Sequence, residues 1–63
     1  MNASELTSKK NYLLRKMYKS KSFQLFFIES YDKQISNLIK NNELEEARRA
    51  INDLELELNK RDS

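Results

Sequence analysis

Asn41-Asn42-Glu43-Leu44-Glu45-Glu46 reads as the place where this chain turns back on itself. It contains the only tandem asparagine in a sequence that has no glycine and no proline. Asparagine is the best remaining residue for the backbone geometry that glycine would supply at a turn. Asn42 followed three residues later by Glu45 has the spacing of a capping box, in which each side chain satisfies the other's backbone N–H. Glu43, Glu45 and Glu46 crowd the first turn, where carboxylates meet the positive end of the helix dipole. The stretch therefore predicts a helix over about 43–60. Its apolar residues Leu44, Ala47, Ile51, Leu54 and Leu58 fall at intervals of 3, 4, 3 and 4, the spacing of a coiled-coil-like seam. Lys60 and Arg61 close it with positive charge at the negative end of the dipole.

Upstream of the turn, residues 23–40 supply a second helix of about the same length, roughly 27 Å at the standard rise. Leu25, Ile28, Ile35, Leu38 and Ile39 give it a matching seam. Two such helices joined by a short polar connection predict an antiparallel helical hairpin. The first arm is too apolar for a single partner. Phe23, Phe26, Phe27 and Tyr31 widen its surface beyond the stripe that 43–60 can cover, so a further element is expected there.

The N-terminal segment is that element. Leu6, Leu13, Leu14, Met17 and Tyr18 recur at helical spacing over about 5–19, and Asn2 or Ser4 is placed to cap it. Ser20-Lys21-Ser22 interrupts the apolar pattern and reads as a turn, giving an all-α fold that is a small three-helix bundle. Without glycine or proline the alternative is one merged helix over about 5–40, with a second molecule covering the aromatic face. Either way the chain is read as one small domain over 1–63, with 1–4 and 61–63 frayed.

The ten residues from Ile39 to Arg48, Ile-Lys-Asn-Asn-Glu-Leu-Glu-Glu-Ala-Arg, resemble the turn and helix of many α-hairpin modules, tetratricopeptide-type repeats among them. A second repeat is absent, as are the glycine and proline of that pattern. The resemblance implies a hairpin and no particular activity.

Composition narrows the function by exclusion. The chain also lacks cysteine, histidine and tryptophan. The usual soft metal ligands, the thiolate nucleophile and the side chain that titrates near neutrality are therefore missing. Nucleotide-binding loops depend on glycine and are ruled out. No cofactor and no small-molecule substrate are expected. At 63 residues a single core is marginally stabilising, which favours a chain that gains stability from a partner or from its own copy. There is no apolar run long enough for a membrane span and no basic-then-apolar leader, so a cytoplasmic location is the expectation.

The net charge of +2 is unevenly spread. Residues 1–21 carry six cations against Glu5 alone, while residues 22–63 carry nine acids against six cations. Lys9, Lys10, Arg15, Lys16, Lys19 and Lys21 are thus candidate phosphate-binding residues, interleaved with Tyr12, Tyr18 and Phe23. Charge for phosphates beside rings for unstacked bases suits nucleic-acid contact, and the same pattern also suits the wet side of an amphipathic helix. Arg48 and Arg49 sit among acids, where the pair of Glu45 with Arg49 accounts for them.

Glu29 and Asp32, three apart on one helical face, are the nearest approach to a catalytic or cation-binding pair. Asp32 also falls at a seam position, so an ion pair to a partner helix is preferred to catalysis, and the chain is expected not to be an enzyme. The leading expectation is a non-enzymatic helical accessory protein. It would act by protein–protein contact, with a larger protein or a second copy in a homodimer, through Phe23, Phe26, Phe27 and Tyr31 and the basic helix. The alternative is a nucleic-acid-binding accessory protein that contacts phosphates through that helix.

Overall fold

A computed structural model describes residues 2–62 and contains three helices: α1 (Ala3–Ser20), α2 (Leu25–Lys40) and α3 (Leu44–Asp62). Each helix packs against both others, so the three-helix bundle forms and the merged 5–40 helix does not. Short connections make sequential neighbours antiparallel, and α3 returns alongside α1 in the same direction.

The helices extend into the end segments as far as residues 3 and 62. Met1 and Ser63 lie outside the described residues, but Asn2 caps α1, and Ala3, Ser4 and Arg61 are helical. The only capping box among the described residues is at this N-terminus. Asn2 Oδ1 accepts from the Glu5 N–H at 2.8 Å, and Glu5 Oε1 accepts from the Asn2 N–H at 3.3 Å.

The capping box expected of Asn42 and Glu45 is replaced by a different device. Asn42 is left-handed, with φ 61°. The Glu43 N–H reaches the Leu38 carbonyl at 2.8 Å and the Asn42 N–H reaches the Ile39 carbonyl at 3.0 Å, the two bonds of a Schellman closure. Asn42 therefore ends α2 in the role glycine usually takes, and α3 starts one residue later than predicted, with the Glu43 carbonyl accepting from Ala47 at 3.0 Å. The Glu45 carboxylate turns outward to Arg48 at 3.3 Å and Arg49 at 3.8 Å.

The turn at residues 20–22 uses the same left-handed device without an asparagine. Lys21 closes α1 at φ 59°. Ser20 Oγ donates to the Met17 carbonyl at 3.1 Å and accepts from the Ser22 N–H at 3.3 Å. A side chain with a Cβ costs about 1–2 kcal/mol in this region, less for asparagine. Lys21→Gly is expected to raise stability by about 0.5–1 kcal/mol and Asn42→Gly by less, an order that urea denaturation of the two variants checks.

The core is the predicted seam with a few substitutions. Ala47, Ile51, Leu54 and Leu58 of α3 are buried against Ile28 and Ile35 of α2 and Leu6, Leu13, Leu14 and Met17 of α1. Leu44, Leu38 and Ile39 pack half-buried at its edge. Two predicted members stay outside: Leu25 is 57% exposed and Tyr18 52%. Leu25 lies two turns ahead of Asp32 on the flank of α2, away from the Ile28–Ile35 line. Phe23 precedes α2 instead of belonging to it, and as a buried plug beneath the 20–22 turn it delays the helix to Leu25. No helix among the described residues is long and apolar enough to cross a membrane.

Candidate contact surfaces

The four aromatic residues of the α2 region do not share one face. Phe23, Phe27 and Tyr31 are spaced four apart and form a column. The Phe23 and Phe27 rings stack at 5.9 Å, and Phe27 meets Tyr31 edge-on at 5.0 Å. Arg61, at the far end of α3, lays its guanidinium over Phe23 at 5.0 Å and Phe27 at 5.7 Å, donates to the Ser22 carbonyl at 3.2 Å and faces Glu57 at 3.9 Å. The column is therefore part of the bundle, fastened by the last turn of α3. A shallow open notch bounded by Ser22, Gln24, Phe27 and Arg61 is left beside it.

Burial raises the Tyr31 hydroxyl above its ordinary value of 10.0, and the nearby carboxylates Glu57 and Asp53 push it the same way. With a raised folded-state pKa, the stability linked to this group is full below 10.0 and is lost as pH rises through the higher value. Ultraviolet titration is expected to show a tyrosine ionisation above 10.0, and Tyr31→Phe is expected to remove it.

Phe26 is the exception. It falls one residue off the column and is 77% exposed, on a stripe otherwise made of Glu29, Ser30, Lys33 and Asn37. Leu25 stands beside it. The aromatic face expected of Phe23, Phe26, Phe27 and Tyr31 thus separates into a structural column and one projecting ring.

The basic residues separate in the same way. Lys10 is 7% exposed. It lies in the apolar stripe of α1, with its Nζ 2.8 Å from Asp32 Oδ1 and 2.9 Å from Ser36 Oγ, and Ser36 donates in turn to Asp32 at 3.2 Å. The hydrogen bond from Lys10 is the chief reason that the Asp32 carboxyl lies below its ordinary value, with the Lys10 charge and Ser36 adding to it against a partial burial. Every buried polar side-chain atom among the described residues has a partner. Lys10 is therefore withdrawn from the phosphate-binding candidates. Lys9 is turned toward α3, 3.4 Å from Glu55. Arg15, Lys16, Lys19 and Lys21 remain exposed and make no ion pair among the described residues, although Lys16 sits 5.2 Å over the Tyr12 ring.

The carboxylates are not assembled into a reaction centre. Asp32 is engaged with Lys10 and Ser36, and Glu29 is exposed without a polar partner among the described residues. Among those residues no group of three or more acids is placed to hold a metal ion. Sequence reasoning named Lys10 and Arg61 but gave them other roles, although it expected Asp32 to pair with a cation on a partner helix. A signal existed for the first, a cation four residues after Leu6 and three before Leu13, and none for the second. No protein-family model, curated protein or solved structure matches the chain.

Proposed function

We propose that this protein is a non-enzymatic helical accessory protein that acts by contact with another protein, anchored by Phe26 with Leu25 beside it. One observation carries the reading: a phenylalanine 77% exposed on a helix whose neighbouring aromatic side chains are all packed. Full burial of such a side chain is worth about 1.5–3 kcal/mol, a gain the isolated bundle forgoes and a partner's pocket recovers. Large rings inserted into a pocket are typical anchors of interfaces. The engagement of Asp32 in an ion pair supports the non-enzymatic part of the reading, because it leaves Glu29 without a second catalytic group.

A photo-crosslinking phenylalanine analogue placed at position 26 in the full chain, in its native cells, tests this. A discrete adduct is expected from position 26 and not from the exposed Asn37 on the same stripe; equal labelling at both sites, or none at either, contradicts the proposal. Adduct mass separates a second copy of the chain from a larger protein. Phe26→Ala is expected to abolish the adduct formed from Leu25 while changing folding stability by less than about 0.5 kcal/mol, as measured by urea denaturation.

A further inference from the structure

We propose that the outer face of α1 binds the backbone of single-stranded nucleic acid, a second surface independent of the one around Phe26. The motivation is a positive field that the fold leaves uncompensated. Arg48, Arg49 and Arg61 of α3 each face a carboxylate on their own helix. On α1 the only acid, Glu5, is spent in the capping box at the N-terminus. Lys9 and Lys10 are drawn off to Glu55 and Asp32. Arg15 and Lys19, four residues apart, are left on the side of α1 opposite Leu6, Leu13 and Met17, with Lys16 exposed on its flank beside Tyr12 and Lys21 just beyond.

Two exposed rings choose the partner. Tyr12 is 57% exposed and carries Lys16 over one face, and Tyr18 is 52% exposed. An acidic protein surface would satisfy the charges without pairing them with flat ring faces for stacking. A single strand offers both, phosphates to the cations and unstacked bases to the tyrosines. Contacts of this kind read no sequence, so binding is expected to depend on salt and on strandedness and not on base order.

The test is fluorescence anisotropy of labelled mixed-sequence oligonucleotides, single-stranded and duplex, with the full chain over a salt series. Four phosphate contacts predict a slope of log affinity against log salt of about −2.8 on single strands. Lys16→Glu combined with Lys19→Glu is expected to make that slope shallower by about 1.4 and to weaken binding by roughly tenfold or more. Circular dichroism confirms that the helices persist, as expected for exposed sites. Tyr12→Ala is expected to weaken single-strand binding by roughly fivefold or more and to leave duplex binding unchanged. Three results overturn the proposal: no single-strand binding at low salt, unchanged affinity in the folded double variant, or a poly-glutamate peptide bound as tightly as the oligonucleotide. The last of these would assign the face to an acidic protein.

Discussion

Leu54→Ala is expected to leave little folded protein at room temperature. Leu54 is 0% exposed at the centre of the α3 seam, between Ile51 and Leu58 and against both other helices. Truncating such a leucine removes its transfer energy and opens a cavity, at a cost of about 3–5 kcal/mol. A domain of this length is stabilised by about 3–9 kcal/mol in total, so the loss is comparable to the whole. Leu56 is the internal control. It lies two residues along the same helix, is 66% exposed and points away from the seam, and Leu56→Ala is expected to change stability by less than about 0.5 kcal/mol. Urea denaturation followed by circular dichroism separates the two outcomes. Similar losses for both variants would mean that the register of α3 is wrong.

The second large effect concerns Lys10 and Asp32. Removing one member of a buried ion pair costs about 3–5 kcal/mol, because the other charge is left dry and unpaired. Here the Asp32 side chain is 50% exposed, so water screens the pair and admits relief, and Asp32→Ala is expected to cost about 1–2 kcal/mol. Lys10→Met keeps the volume and removes the charge; it is expected to be neutral or stabilising, since an exposed Asp32 tolerates solvation. The pH dependence has a definite sign. The folded Asp32 carboxyl lies below its ordinary value of 3.8, so its contribution is complete above that value and is lost as pH falls through the lowered one. The stability difference between the protein and Asp32→Asn is therefore expected to be constant near neutrality and to close in strong acid. A gap that persists there would mean that the pair is not what Asp32 contributes.

The two effects reflect different degrees of legibility in the sequence. The α3 seam was readable because Ala47, Ile51, Leu54 and Leu58 hold a strict period, and burial follows period when one stripe must face two helices. The turn at residues 41–42 was readable as a turn but not as its type. Asparagine both caps helix N-termini and tolerates left-handed backbone, and only the bond from Glu43 to Leu38 shows that the second property is used. Lys21 gave no such signal, since lysine is not chosen for positive φ and is held there by its neighbours.

The candidate surfaces were half legible. Spacing separates Phe26 from Phe27 and Tyr31, one and five positions away, whereas Phe23, three positions back, parts from it because it lies ahead of α2. Grouping all four by composition hid that difference. Lys10 and Asp32 each break an apolar stripe, which marks them as partners once α1 and α2 are known to be adjacent. Arg61 could not be placed in advance. Its contacts with Ser22, Phe23 and Phe27 join residues about 40 positions apart, and they arise only because α3 runs back to the end of α1.

The claim on which the proposed function rests is that the bundle is complete without Phe26. Solvent paramagnetic relaxation on the three phenylalanine rings, in a dilute solution of the isolated chain, tests it ring by ring. Strong relaxation at Phe26, weak relaxation at Phe27 and almost none at Phe23 is the predicted result. Protection of Phe26 equal to that of Phe23 would contradict it.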